Sequence, residues 1–338
     1  MQIDFHFYAI YTLCKLAGIK QEYSKIIAYA SQHTDDAKYD HVLEFKSGGR
    51  FQQQMSAHKF LNLGVLDKRT CYDIFLPFHF LPGIVGNEFY EKLLCRENSV
   101  TANELLNDTL RTLDKPYGLH RLGVTLHVYA DTWSHQGFHG LNRDENRISY
   151  LDIMNTKDTL KEEVLLSSLK LIPPLGHGQV YKYPDEPYLS WKYNKYYSKD
   201  SCLEINNLNR FIDALFHIFL FLNNQVRSHI DLFEDKPAKW DEIKDKFIEI
   251  LSIRDTVEQR ELLWQQKISE GFFGFKSNIE YNDREWFYEA VEVLDKDLMI
   301  YDKKENFQTS DWKYFHDALT LHKFFVKNEL LPKYGIIT

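Results

Sequence analysis

The chain has 338 residues, 44% hydrophobic and 15% aromatic, enough to bury a sizeable core in one large domain or two smaller ones. Its net charge of −8 and its lack of a Lys/Arg block exclude a general attraction to phosphate backbones, so nucleic acid is not an expected partner. The four cysteines, Cys14, Cys71, Cys95 and Cys202, form no CxxC pair, which excludes a thiolate zinc site and a disulfide framework.

Apolar periodicity predicts a first helix over residues 5–17, stopping at Gly18, and a second over 22–30. The start of the chain carries Asp4, His6 and Lys15 and lacks a secretory pattern, and no apolar stretch reaches membrane-spanning length. A cytoplasmic protein without a transmembrane segment is expected. SQHTDDA, residues 31–37, is rich in cap and turn formers, placing Asp35 and Asp36 at a helix edge or in a loop. Residues 44–51, centred on Gly48 and Gly49, predict a hairpin or tight turn. A helix restarts near Met55 and carries His58. FLPFHFLPG, residues 75–83, is bracketed by Pro77 and Pro82 and reads as irregular, with His79 on a loop. Helices follow over 102–113 and 119–134. The four prolines and two glycines between Ile172 and Trp191 predict a long ordered loop, and helical periodicity returns over 206–233. The expected fold is therefore all-α, with a helical metal-binding domain over 1–233 and a helical extension or lid over 234–338.

The chemistry concentrates in YGLHRLGVTLHVYADTWSHQGFHG, residues 117–140. At about 100° per residue, His120, His127, Asp131 and His135 fall within an arc of roughly 80° on one helix face. Imidazole and carboxylate together suit zinc and related divalent ions. The competing reading is an amphipathic helix whose histidines hydrogen-bond in a polar seam. One helix cannot saturate an ion pair, so the polar outliers elsewhere are candidate ligands: Asp4 and His6 in an apolar first turn, Asp35 and Asp36, and His58. His79 remains open between a core histidine and a ligand. His177, flanked by Gly176 and Gly178, and Asp185 in the same loop are expected to line the pocket as ligands or as acceptors that orient imidazoles.

LGVTLHVYADTWSHQGFHG resembles the LG-x-x-LH-x-x-x-D-x-x-SH pattern of Het-C-like proteins. More loosely, it is similar to the H-x-x-x-D helix of zinc-dependent phospholipases C and trinuclear-zinc nucleases. That resemblance implies an all-helical fold holding three zinc ions, with His127 and Asp131 as ligands and His135 as the histidine that follows. By order along the chain, Asp35 or Asp36 and His58 match the upstream ligands, and Asp4 or His6 takes the place of an amino-terminal one. The chain departs from those enzymes in having no signal peptide, no tryptophan start and no second H-x-x-x-D pair, which puts a third metal in doubt. MQIDFHFYAIYTLCKLAGI, YASQHTDDA, SAHKFLN, YDIFLPFHFLPG and LGHGQVYKYPDEPYLSW look like the shared blocks of a bacterial family of unknown function.

These readings lead to a metal-dependent hydrolase, a zinc phosphoesterase with one to three ions acting on a small or lipid phosphoester through metal-activated water. Asp131 or Asp35 would bridge ions or act as base, with His177 and Asp185 facing the substrate. The alternative is a non-catalytic binding or sensor protein with a structural metal. A third reading takes His316 and Asp317 as the core of an HD phosphohydrolase.

Overall fold

A computed structural model describes residues 1–58, 67–154, 171–196 and 202–338. Its axis is the Gly118–Ser134 helix, in which every side chain but that of Leu119 is buried. A helix apolar on most sides needs neighbours all round. They are the helices Gln21–Asp36, Val100–Leu110, Asn207–Asn224 and Asp311–Phe324. Gly123 sets the closest crossing: a Cβ there would stand 2.3 Å from the Ile27 carbonyl oxygen and 2.6 Å from Ala30 Cβ. This approach carries the end of the Gln21–Asp36 helix to the histidine face of the central one.

The expected all-α class is overturned. Among the described residues there are seven strands in three antiparallel sheets beside a structure that is 54% helical, so the fold is mixed α/β. Strands β1 (Val42–Glu44) and β2 (Arg50–Gln52) form the hairpin that the paired glycines predict. Strands β3 (Ile148–Ile153), β4 (Ser190–Lys195) and β5 (Leu203–Asn206) form a sheet in the order β3-β4-β5. Here Trp191 and Tyr193 are buried while Ser190, Lys192 and Asn194 are not, the period of two that a half-buried strand requires. Proline content masks that short alternation in the sequence. Strands β6 (Val291–Asp295) and β7 (Ile300–Lys303) form a hairpin in the tail expected to be helical, and Lys46 beside the first hairpin donates to Tyr301 O at 3.0 Å.

Local differences have similar causes. The first helix opens with a π-helical turn, Asp4–Ala9, before Ile10–Leu16. The second continues to Asp36, because Ser31, Gln32, His33 and Thr34 are buried against neighbours and tertiary packing overrides their turn preference. FLPFHFLPG opens inside a continuous helical run, Lys68–Phe78 with a π-helical stretch at Cys71–Phe75, so Pro77 lies in its last turn and His79 terminates it. Residues 55–58 are not helical, and the rest of the helix expected from Met55 lies outside the described residues.

The tail shares a core with the amino-terminal part. Trp264 of the Val257–Glu270 helix stacks on Tyr8 at 6.3 Å, and Trp286 stacks on Tyr29 at 3.8 Å. Cys14, Cys71 and Cys95 are buried free thiols and Cys202 is exposed. No described helix is long and apolar enough to cross a membrane.

Candidate metal centre

Four segments converge at the carboxyl end of the central helix. The helix supplies His127, Asp131 and, at its terminus, His135; the first turn supplies His6; the end of the second helix supplies Asp35; and the His79 and 177–185 segments close the ring. Three ligand groups result: His6 with His127 and Asp131; Asp35 with His79 and His127; and His135 with His177 and Asp185.

The distances fit a divalent ion. Four donors around zinc at about 2.0–2.1 Å lie about 3.4 Å apart at the corners of a tetrahedron. His79 Nδ1 is 3.2 Å from His127 Nε2 and 3.4 Å from Asp131 Oδ2, and His127 Nε2 is 3.3 Å from that oxygen. Asp35 Oδ1 stands 3.7 Å from both imidazole nitrogens. Asp131 turns its other oxygen away: Oδ1 is 3.2 Å from His6 Nε2 and 2.8 Å from the Met1 α-amino nitrogen. That nitrogen is 3.2 Å from Asp185 Oδ1, which is 3.3 Å from His135 Nε2, while Asp185 Oδ2 is 3.5 Å from His177 Nε2. Asp131 thus divides its oxygens between two ligand groups, the geometry of a bridging carboxylate. His127 Nε2 can bind only one ion, so the two groups that share it cannot both be completed through it.

Backbone carbonyls fix the histidines. His79 Nε2 donates to Ser56 O at 2.9 Å, His135 Nδ1 to His79 O at 2.7 Å and His177 Nδ1 to Tyr181 O at 2.8 Å. Each ring then presents its other nitrogen, with its lone pair, to the cluster, the arrangement that orients metal-binding imidazoles. Among the described residues His6 Nδ1 and His127 Nδ1 have no hydrogen-bond partner, His6 Nε2 meets the Asp131 oxygen, and both histidines are buried with their rings stacked at 3.9 Å. A buried imidazole nitrogen left this way is costly unless an ion takes up its lone pair or a water its N–H.

The electrostatics point the same way. Burial alone would push the Asp131 carboxyl up, yet His135, the Met1 amine and His127 hold it well below the usual range. Asp185 is likewise lowered, by the Met1 amine and His177 against the cost of burial. Burial, His127 and the Met1 amine hold His6 well below its ordinary value, so it stays neutral and able to ligate. Asp35 is raised by burial in the company of Asp131. Burial lowers the Met1 amine, but Asp131, Asp185 and Asp35 outweigh it and raise it to about 11. Three carboxylates held this close call for positive charge between them, of which the Met1 ammonium supplies one unit.

A family model matches residues 1–330, spanning both the donor segments and nearly all of the tail. The chain belongs to DUF6765, a family of unknown function. No curated protein and no solved structure matches this DUF6765 chain.

Of the residues singled out in the sequence, the structure brings together His6, Asp35, His127, Asp131, His135, His177 and Asp185, with His58 in the wall of the adjoining cavity. It places three elsewhere. Asp4 pairs with Arg260 at 2.9 Å. Asp36 is bound by Gln32, Lys38 and Tyr281. His120, two turns before His127, pairs with Asp311 at 2.9 Å. In the tail, His316 Nδ1 accepts from the Gln54 amide and Asp317 takes Lys313, so those neighbours do not act together. His79, left open in the sequence, lies at the centre of the cluster; its only local signal is a helix-ending position between two aromatic residues.

Proposed function

We propose that this DUF6765 chain is a metal-dependent hydrolase of phosphoesters, built around two or three divalent ions, with zinc favoured by a donor set of imidazole and carboxylate. The observation that carries the reading is the Asp131 carboxylate, whose two oxygens serve two ligand groups and would hold two ions close together. Ions so placed supply an acidified water and a Lewis acid for a phosphoryl oxygen. His79, His135 and His177 hold their lone pairs inward through carbonyl contacts, so little reorganisation is needed at the site.

A cavity of about 210 Å³ opens onto the cluster, lined by Asp35, His79, Asp131, His135, His177 and Asp185, with Ala57, Phe75 and Phe80 as its apolar walls. A catalytic site keeps a coordination position open, and this cavity gives access to one. Its size and the net charge of −8 suit a small phosphoester or a lipid headgroup better than a polynucleotide strand.

A second reading has its own support. His6, His127 and Asp131 are all buried, so an ion held there would be closed off, as structural ions are. A binding or sensor protein would need nothing more.

The test is hydrolysis by zinc-loaded protein of a phosphomonoester, a phosphodiester and phospholipid vesicles. His177→Ala is expected to lower turnover roughly 10- to 100-fold while the fold and most of the metal remain. No hydrolysis of any of the three by metal-replete protein hands the site to the second reading.

A further inference from the structure

We infer that Arg260, far from the cluster in sequence and outside its ligand set, is a positioning residue that ties together the two segments closing the metal centre. The inference rests on the metal-centre reading.

Arg260 lies in the Val257–Glu270 helix and is 2% exposed. Its Nε donates to Asp4 Oδ2 at 2.9 Å, one terminal nitrogen donates to Gln2 Oε1, and the other to the Asp255 carbonyl at 2.6 Å. The guanidinium also lies over the Tyr188 ring, 5.3 Å from its centroid. Gln2 and Asp4 belong to the segment that delivers His6. Tyr188 follows, three residues on, the short turn Tyr183–Asp185 that delivers Asp185. One side chain of the tail therefore grips both carriers.

Helix geometry makes the grip on Asp4 a lever. Residues i and i+2 point about 200° apart around an α-helix axis and somewhat less in a π-helical turn, so Asp4 and His6 face roughly opposite ways across the Asp4–Ala9 turn. Asp4 points at Arg260 while His6 points at Asp131, 3.2 Å away. Fixing Asp4 fixes the rotation of that turn, and with it the aim of His6. A planar guanidinium can hold Asp4, Gln2 and an aromatic face at once, whereas an ammonium cannot reproduce that fork. Asp4 is 1% exposed and its Oδ1 has no side-chain hydrogen-bond partner among the described residues, so Arg260 is the main support of the carboxylate.

The experiment compares the full-length wild type with Arg260→Lys and with an Asp4→Asn, Arg260→Met double variant. The double variant removes both charges and avoids stranding a buried carboxylate, which could unfold the chain. Each protein is titrated with zinc and with cobalt, and melted with and without saturating zinc. A purely structural role lowers the metal-free and zinc-loaded melting temperatures by the same amount. A positioning role shrinks the rise that zinc produces, because that rise reports affinity for the folded state. We expect zinc affinity to fall at least about 10-fold in the double variant and less in Arg260→Lys, with an altered visible spectrum of bound cobalt. Wild-type zinc affinity and cobalt spectrum in both variants, whatever their metal-free stability, overturn the inference alone. A wild type that takes up neither metal removes the metal-centre reading and this inference with it.

Discussion

Two sets of buried histidines occupy this molecule, and the contrast between them shows what makes a ligand. At the carboxyl end of the central helix, His127 and His135 meet His6, His79 and His177 around three carboxylates, with lone pairs turned inward. At its amino end, in the loop that follows it and in a neighbouring helix, His120, His139, His316 and His322 are as deeply buried but stand singly. His322 is held by the Pro77 carbonyl and His316 by the Gln54 amide, and His120 meets one carboxylate at the protein's edge. Burial is common to both sets, with His177 alone half-buried. Convergence of carboxylates and free nitrogen lone pairs is not.

The lone set can be read first through pH, where the largest effect is expected. Burial lowers His316 to about 3 and His139 to about 4, so each stays neutral in the fold. Below the unfolded value near 6.5 the unfolded chain takes up protons that the native state refuses. Stability of the metal-free protein should therefore be highest above about pH 6.5 and fall towards pH 4, by about 1.4 kcal/mol per pH unit for each such histidine. His79 pulls the other way: burial lowers it, but the Asp131 hydrogen bond, with Asp35 and Asp131, raises it, so it offsets part of the loss, together with the Asp35 and Glu261 carboxyls that burial raises. Denaturant melts at stepped pH measure the slope; stability flat from pH 7 to 4 contradicts it.

Single substitutions sharpen the contrast further. His79→Ala should weaken zinc binding roughly 10- to 100-fold, while His316→Ala should lower stability without changing metal stoichiometry. Chelator competition and melting on the same samples separate the two outcomes, and equal metal loss in both variants would erase the distinction between the sets.

The smallest effect concerns His120, which shares the helical stripe with the ligands. Asp311→Ala removes its partner and should cost about 1 kcal/mol of stability with metal content unchanged. Loss of metal from that variant would show that the stripe acts as a whole.

Part of this contrast is written in the sequence. Spacing of four aligns His127, Asp131 and His135 on any helix, and the paired glycines 48 and 49 announce their hairpin. His120, seven residues before His127, falls on the same face but lies about two turns away along the axis, roughly 10 Å from His127, too far for a shared ion. Spacing alone does not reveal that. His79 is brought in by contacts 48 and 52 residues distant in sequence, with His127 and Asp131, and Asp35 by the close crossing at Gly123. The β3-β4-β5 sheet is hidden for a related reason: its strands are short, and proline-rich chain separates β3 from β4.

The most direct measurement of the central claim is elemental analysis of the protein after exposure to zinc and removal of the excess, beside the His127→Ala, Asp131→Ala double variant. The account predicts two or three ions in the wild type and a loss of most of them in the variant, because Asp131 serves two ligand groups at once. Equal metal content in the two proteins, or none in either, would contradict it.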